Sequence, residues 1–573
     1  MDKSEIAAVL NEIGEILDIL GENPFKIRAH HNAARAVETL AEDLDELIES
    51  GKLTSIKGIG EKIAKKIVTL RQTGALPELD ALRKKIPEGM FDILRIPGVG
   101  PKKAKALWDR LGITTIGELK YACNENRLVE LEGFGPKSQE NVLKGIENVE
   151  KFAGRRLLPE GLAAAAEILE WIKKERSVIR AQVAGSVRRS LETVKDIDIV
   201  ASSAHPEKVM EKFVNAPGVE DVIGHGQTKS SVRLSSGFQA DLRVVTDKEY
   251  PYALHHFTGS REHNTAMRSL AKSKGMKMNE YGLFKGKKLI PCKDEEAIFG
   301  KLGLSYIPPE LREGLGEIEE AAKGKFAPLI EAGDIKGIFH CHTKYSDGVN
   351  TVEELAKACA ERGYTYLGIS DHSRTAAYAG GLSADDLKRQ SDEIDEVNGK
   401  LKEFTVFRGV ESDILPDGKL DYPDKVLEKL DFVIASVHAG FTMDEKKMTG
   451  RIVKAIENPR TTMLGHPTGR LLLARDGYHV NMEKIIDACA ENGVIIELNA
   501  NPHRLDIDWR WIRRVRNAGV VISINPDAHR VSGLDDTLFG VMTARKGGCG
   551  KDDVFNTKTA AMVEKHLAAR GKK

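Results

Sequence analysis

At 573 residues the chain is too long for one hydrophobic core, and three to five domains are expected. Hydrophobic residues make up 41%, charged residues 30%, and the formal net charge is zero, the balance of a soluble globular protein. No apolar run approaches the length of a membrane span, so a membrane role is not expected. The neutral average hides a basic region: residues 51–110 hold 14 Lys/Arg against 6 Asp/Glu, which favours a polyanionic partner. Cys123, Cys292, Cys341, Cys359, Cys489 and Cys549 form no Cys-x-x-Cys pair. Neither a disulfide framework nor a Cys-rich zinc site is therefore expected. The start, Met1-Asp-Lys-Ser-Glu, lacks the basic-then-apolar pattern of a signal peptide. A reducing cytoplasm is the expected compartment.

Residues 1–80 read as helical, with apolar positions at helical spacing from Ile6 and a break at Pro24. Three short repeats follow: Gly58-Ile-Gly60-Glu-Lys62, Gly98-Val-Gly100-Pro-Lys102 and Gly133-Phe-Gly135-Pro-Lys137. Each is a tight turn between helical stretches. The backbone N–H groups of the next helix N-terminus can meet a phosphate, and the lysine adds charge.

From about 155 to 250 the pattern turns α/β. A helix from Gly161 to Lys174 leads to a strand, Val178 to Val183, and then to Gly185-Ser186-Val-Arg188-Arg189. Asp196 and Asp198 stand at i and i+2 of an apolar strand, so both face one side. Asp241 lies on a second apolar strand. Three carboxylates on adjacent strands can hold two Mg²⁺ ions. The Gly185-Ser186 turn lets backbone approach a triphosphate, where Ser186 can donate a hydrogen bond and Arg189 can pair with phosphate oxygens. A small α+β lobe is expected near 251–315, then a linker with a charged helix from Leu311 to Lys325.

The last 240 or so residues hold His340, His342, Asp347, His372, Glu411, His438, His466, Asp527 and His529. In the main segments an apolar run stops at a His or a carboxylate. Seven strands are predicted, near 337–342, 365–371, 405–411, 431–438, 461–466, 493–499 and 519–525. In a parallel barrel such strand ends share one mouth. Strand alternation would let His340 converge with His342, and Asp527 with His529. Imidazoles mixed with carboxylates suit Zn²⁺, Mn²⁺ or Fe, and nine ligands imply two or three ions.

Residues 335–573 resemble the PHP (polymerase and histidinol phosphatase) superfamily, whose fold is a distorted (β/α)7 barrel with a trinuclear site. Every ligand position of the family motif is filled, which implies an active site. Residues 1–315 resemble the family X DNA polymerases, the DNA polymerase beta type of the nucleotidyltransferase superfamily. Gly185-Ser-Val-Arg-Arg189 looks like the triphosphate motif, and Asp196, Asp198 and Asp241 like the metal triad. Phe257-Thr-Gly259-Ser looks like the motif that senses the sugar. Asn264 falls at a contact to the incoming base, Arg268 at a minor-groove contact, and Asn279-Glu-Tyr281 at a further thumb motif. Two residues depart from the pattern. His256 stands where the family commonly has Tyr, and Gln239 where vertebrate members usually carry Arg.

The three glycine repeats resemble helix-hairpin-helix elements, which grip DNA backbone and, in the family, hold a monovalent cation through carbonyls. Lys66 falls at the nucleophile of the family's lyase domain. Its reactivity needs a lowered pKa, with Lys62 and Lys65 as nearby cations; a plain DNA-contacting lysine is the alternative.

Together the two halves resemble bacterial and archaeal family X polymerases with a C-terminal PHP domain. The fold class implied is multidomain α+β and α/β. Its parts are a helical lyase-like domain at 1–80, fingers-like helices with two further hairpins at 81–153, a palm at 154–250, a thumb at 251–315, a linker at 316–335 and a PHP domain at 336–573. The implied function is short-gap filling in base excision repair, by a cytoplasmic, nucleoid-associated monomer acting on gapped or primed duplex DNA with dNTPs. The PHP site would act as a 3′-5′ exonuclease, with abasic sites and 3′-phosphates as further substrates that the resemblance implies. The alternative is a barrel that hydrolyses a small phosphoester, fused to a DNA-binding nucleotidyltransferase.

Overall fold

The computed structural model describes all residues except 39, 41–43, 125, 126, 129, 130, 132, 153, 325 and 571–573. It comprises two compact units, Met1–Ala153 and Gly154–Lys573.

The first unit is helical. Its first helix, α1 (Lys3–Ile19), is closed at its N-terminus by a capping box between Asp2 and Glu5 and buries Ile6, Leu10, Ile13 and Leu17 along one stripe. Pro24 opens α2 (Pro24–Glu38), where a missing N–H costs nothing. The three repeats are turns that enter α3 (Glu61–Thr73), α4 (Pro101–Leu111) and α5 (Pro136–Phe152). The first glycine of each takes a left-handed φ, +102° at Gly58, +85° at Gly98 and +86° at Gly133. The apolar residue between the glycines, Ile59, Val99 or Phe134, is buried and pins the turn to the core.

The second unit opens with a five-stranded sheet built from β1 (Val178–Val183), β2 (Asp196–Ser203), β3 (Val219–His225), β4 (Lys229–Leu234) and β5 (Gln239–Val245), in the order β1-β2-β5-β4-β3. Only β2 and β5 run parallel, with Asp198 directly beside Asp241. Ile197, Ile199, Ala240 and Leu242 are buried on the other face. A three-stranded antiparallel sheet and the helix Arg261–Ser273 form the next lobe, around Met267, Leu283, Ile298 and Phe299.

The charged helix expected from Leu311 to Lys325 is shorter, Glu317–Lys323. Gly314 and Gly316 both take left-handed φ and break it. This segment packs as well as links: Ala321 and Ile318 join the core of the preceding lobe.

The C-terminal part is a seven-stranded, all-parallel sheet in sequential order: β6 (Gly337–Cys341), β7 (Tyr366–Ile369), β8 (Thr405–Asp413), β9 (Phe432–Ser436), β10 (Met463–Leu464), β11 (Ile495–Asn499) and β12 (Ile522–Asn525). A bridge between Cys341 and Ala528 nearly closes it into a barrel. Outward residues such as Val406, Val410, Val433 and Ile496 meet the helices. The inner face follows period-two alternation. It is aromatic at one end, where Phe339, Tyr366, Phe407, Phe432 and Phe555 pack together. Gly409 makes room there, because a Cβ would lie 2.3 Å from the Phe432 ring. At the other end the same alternation turns polar, from Phe407 through Gly409 to Glu411 and Asp413, and from Phe432 through Ile434 and Ser436 to His438.

Candidate active sites

The first site lies on the open face of the five-stranded sheet. Asp196 is exposed, while Asp198 and Asp241 are half-buried. Burial and the charges of Asp196 and Asp241 push the Asp198 carboxyl up to about 7. Asp241 moves the other way against its burial, because Gln239, Ser231 and Lys229 hold its charged form. The Gln239 amide donates to it at 2.9 Å, and the Lys229 ammonium lies 3.3 Å away. Three carboxylates this close, one of them near neutrality, fit a site that takes cations.

Gly185 explains itself here. It has φ +62°, and a Cβ would lie 2.1 Å from Asp198 Oδ2. The Gly185–Arg188 turn begins a short helix against the triad. A cleft of about 440 Å³ brings together Gly185, Ser186, Arg189, Asp196, Asp198, His256, Phe257, Gly259, Asn264 and Arg268. Several of these already have partners. Arg189 donates to Glu313 at 3.0 Å and to the Thr258 carbonyl at 2.5 Å. Asn264 donates to the His256 carbonyl at 2.7 Å, so its amide fixes the wall of the cleft. Burial lowers the His256 pKa, which favours the neutral ring. Arg188, Glu295 and Arg312 form a buried ion-pair chain across the sheet and the next lobe. Lys229, Glu295 and Arg312 escaped the sequence because they lie outside the recognised motifs; Arg188 lies inside one, but its partner is more than 100 residues away.

The second site fills the polar end of the barrel. Its nine expected ligands fall into four overlapping groups: His342, Asp347, His372 and His529; His340, His466 and Asp527; His340, His342 and Glu411; and His372, Glu411 and His438. Within each group the ligand atoms lie within 4.8 Å of one another. Glu411 is central. Its Oε1 lies 3.2 Å from His340 Nε2, 3.2 Å from His438 Nε2 and 2.9 Å from His466 Nε2. Its Oε2 lies 2.8 Å from His372 Nδ1 and 3.8 Å from His342 Nε2. Both His342 ring nitrogens and His466 Nδ1 are buried without a hydrogen-bond partner among the described residues. Buried polar atoms left without partners in such numbers are costly unless an ion satisfies them, so this set fits metal ions.

The convergence does not come from simple strand alternation. His340 (φ +58°) and Asp527 (φ +53°) adopt left-handed backbone, and the β6 register shifts between Ile338 and Cys341. His342 and His529 lie just past their strands. Such strained conformations persist where surrounding structure over-determines them, often at functional sites.

Three carboxylates that sequence reading did not single out orient the ligands. Glu497 accepts from His340 Nδ1 at 2.5 Å and from the His466 backbone N–H at 2.7 Å. Asp413 holds His438 Nδ1 at 2.5 Å. Asp371 is buried and receives Thr343, Ser346 and Gln390, which fixes the loop carrying His342 and Asp347. Glu497 and Asp413 were detectable, since both continue the inward period of their strands. Burial opposes charge on His372 and His438, but Glu411 with Asp347 or Asp413 outweighs it and raises them to about 10 and about 9. Burial with two neighbouring imidazoles lowers His342 to about 4. Despite burial, Glu411 and Asp527 are held well below the carboxylate range by the histidines around them.

In the helical unit, Gly60 and Gly100 precede exposed helix N-termini, and a Cβ on Gly60, Gly100 or Gly135 would meet nothing within 4 Å. Lys62, Lys102 and Lys137 are exposed. Lys103 instead bridges two hairpins, donating to the Gly98 carbonyl at 3.0 Å and Ser138 at 3.1 Å. Lys66 is largely buried, with Glu78 at 2.8 Å and His30 Nε2 at 2.9 Å. Its close charged neighbour is therefore a carboxylate, not the exposed Lys62 and Lys65.

Comparison with known proteins agrees with this geometry. Family models match a helix-hairpin-helix domain at residues 1–76, a SAM-like helix-hairpin-helix tandem at 91–148, a DNA polymerase beta thumb at 253–313 and a PHP domain at 339–501. The DNA polymerase/3′-5′ exonuclease PolX of Bacillus subtilis (strain 168) is 38% identical over 571 residues, 99% of each chain. A probable phosphatase of Thermoanaerobacter sp. (strain X514) is 27% identical over 237 residues, 39% of this chain and 91% of its own length. A probable phosphatase of Caldicellulosiruptor saccharolyticus is 29% identical over 212 residues, 33% of this chain and 78% of its own. With nearly its whole length matched, both sites included, the chain belongs to the family X DNA polymerases that carry a C-terminal PHP domain.

Proposed function

We propose that this chain extends primers in gapped or primed duplex DNA by template-directed nucleotidyl transfer from dNTPs, and that its barrel shortens DNA 3′ ends as a metal-dependent 3′-5′ exonuclease. Abasic sites and 3′-phosphates are further proposed substrates of the barrel. The observation that carries the first half is the Asp198–Asp241 register, with Gly185 backbone against it. For the second half it is Glu411, whose two oxygens face five imidazoles.

Asp196, Asp198 and Asp241 would hold two Mg²⁺, and the nine barrel ligands two or three Zn²⁺, Mn²⁺ or Fe ions. Divalent ions bound at these sites supply Lewis-acid neutralisation of charge at phosphorus and activate the attacking oxygen. Ser186 and Arg189 donate to triphosphate oxygens, and Gly185 admits them close to backbone. His256, Phe257 and Gly259 form the wall at the nucleotide sugar, Asn264 stiffens it, and Arg268 reaches toward the duplex minor groove. In the barrel, Glu497 and Asp413 hold His340 and His438 by Nδ1, which turns each Nε2 toward Glu411.

The hairpins grip phosphate backbone through Gly58, Gly60, Gly98, Gly100, Gly133 and Gly135, with Lys62, Lys102 and Lys137 beside them. A monovalent cation at hairpin carbonyls is part of this reading, although in the second hairpin Lys103 already occupies the Gly98 carbonyl. At Lys66, contact with DNA phosphate fits better than lyase chemistry, because the amine is already paired with Glu78 at 2.8 Å and largely buried. The six cysteines are free, which suits a reducing cytoplasm, and among the described residues no helix is long and apolar enough to cross a membrane. We take the working form to be a nucleoid-associated monomer.

The test is a gapped duplex with labelled primer, with and without dNTPs, in Mg²⁺ and in Mn²⁺. Extension and shortening then report on the two sites separately. The resemblance of the barrel to probable phosphatases keeps one competing reading, a small-molecule phosphoesterase. Fast hydrolysis of a simple aryl phosphate with no shortening of DNA would favour it.

A further inference from the structure

Lys546 ends the barrel-side helix Thr537–Lys546, and its side chain is fully buried. Burying an ammonium is expensive unless each donor is used. Here all three are used, and none within the barrel domain. The ammonium donates to the Arg189 carbonyl at 3.0 Å, to the Glu310 carbonyl at 3.3 Å and to Glu313 Oε1 at 2.5 Å. It also lies 4.5 Å from the Trp509 ring centroid. Glu313 Oε1 is shared, since Arg189 Nε donates to it at 3.0 Å. Arg189 in turn lines the nucleotidyl-transfer cleft and donates to the Thr258 carbonyl. The barrel thus touches Arg189 twice, directly at its carbonyl and through Glu313 at its guanidinium.

We infer that Lys546 of the PHP domain is a positioning residue for nucleotidyl transfer: by sharing Glu313 with Arg189 and holding the Arg189 carbonyl, it sets how far the guanidinium is released toward the incoming triphosphate. This rests on the reading of Arg189 as a phosphate contact. A carboxylate oxygen divided between two cations holds each less firmly than one cation alone. Without the ammonium, Glu313 pairs with Arg189 alone and draws it back from the cleft. The barrel is then a structural requirement for nucleotide binding as well as a second active site.

The experiment uses full-length Lys546→Met, the double variant Lys546→Met/Glu313→Gln, and Arg189→Met. Steady-state extension of a gapped duplex gives KM for dNTP and kcat, and shortening is followed in parallel. Lys546→Met should raise KM for dNTP on the order of tenfold, with kcat and shortening little changed. The double variant removes the Lys546–Glu313 pair as a whole, so no carboxylate is left to draw on Arg189. It should return KM to within about threefold of the parent, because Arg189 is no longer drawn back.

Parental KM in Lys546→Met, alongside a raised KM in Arg189→Met, overturns the inference and leaves the Arg189 reading intact. Parental KM in Arg189→Met removes that reading and the inference with it. A double variant as impaired as Lys546→Met, with shortening lost as well, assigns the defect to packing and also overturns the inference.

Discussion

The two candidate sites gather carboxylates on strand ends, yet they are held in opposite ways. The palm triad has no imidazole, stands at the edge of an open cleft, and owes its geometry to one parallel register. The barrel site is sunk into one end, and its histidines are aimed by a further layer of carboxylates, buried Glu497 and half-buried Asp413. Hard oxygen ligands with room for water and phosphate suit exchangeable Mg²⁺. A preset imidazole cage suits ions that stay through many turnovers. The difference separates a site completed by its substrate from one completed before substrate arrives.

The largest effect that can break this comparison comes from the triad. Asp198→Ala should reduce extension roughly 10³-fold or more, since the charge stabilisation lost is worth several kcal/mol. Shortening should persist. Asp198 also carries a pH signature. Its carboxyl sits at about 7 because of burial and its two neighbours, so protons compete with Mg²⁺ below that pH. At limiting Mg²⁺, extension should fall as pH drops through about 7, and added Mg²⁺ should move the fall to lower pH. Parental extension by Asp198→Ala would end the polymerase assignment.

The mirror experiment is His340→Ala with His342→Ala. It should strip metal and abolish shortening, while Mg²⁺-dependent extension continues. Elemental analysis beside the two rates decides the matter. Full shortening in a variant depleted of metal would place cleavage outside the barrel. Mn²⁺ should support shortening better than Mg²⁺ in the parent.

A smaller effect tests the aiming layer itself. Glu497→Gln keeps the volume but removes the charge that faces His340 Nδ1 at 2.5 Å. Metal affinity, measured by competition with a chelator, should fall by about 10–100-fold. Among the described residues no buried carboxylate stands behind the triad, where Gln239, Ser231 and Lys229 hold Asp241. Lys229→Met should therefore cost extension less than Glu497→Gln costs shortening. The reverse ranking would erase the distinction between preset and substrate-completed sites.

How much was legible follows the same divide. The triad could be read whole, because carboxylates at i and i+2 of an ordinary strand point one way and β2 is an ordinary strand. The nine barrel residues and their gathering at one mouth were legible, but the backbone that brings them together was not. His340 and Asp527 turn inward through left-handed backbone, which no alternation rule anticipates. All seven strands were readable, though β10 shrinks to Met463–Leu464. Asp371 stayed hidden because it acts on a loop, and Lys546 because its partners lie more than 200 residues away in sequence. Pairing across domains leaves no local periodicity to detect.

The hairpins offer a milder contrast, between gripping DNA and reacting with it. Gly98 is strained by any side chain, given its φ, so its replacement confounds folding with binding. Gly100 has ordinary φ and open space, which makes Gly100→Val the cleaner probe. It should weaken binding to the same degree on unrelated sequences. Lys102→Ala should lower the slope of log affinity against log salt by about 1. A change in sequence preference at constant mean affinity would count against backbone recognition.

The smallest expected effect concerns the sugar. His256 lines the cleft beside the triad, edge-on to Phe257 at 5.1 Å, and burial favours its neutral form. An imidazole fills less space than a phenol, so the parent should exclude ribonucleotides weakly, and His256→Tyr should improve selectivity by roughly threefold, less than a buried methylene is worth at the upper end. The structure supplies a rival gate in the His256 carbonyl, which Asn264 holds at 2.7 Å. The two are separable. A ring gate responds to His256→Tyr and ignores Asn264→Ala. A backbone gate does the opposite, because losing the amide lets the carbonyl move. Unchanged dNTP/rNTP selectivity in His256→Tyr, together with a shift in Asn264→Ala, would transfer sugar sensing from the side chain to the backbone, and the open site would then prove to have one preset element after all.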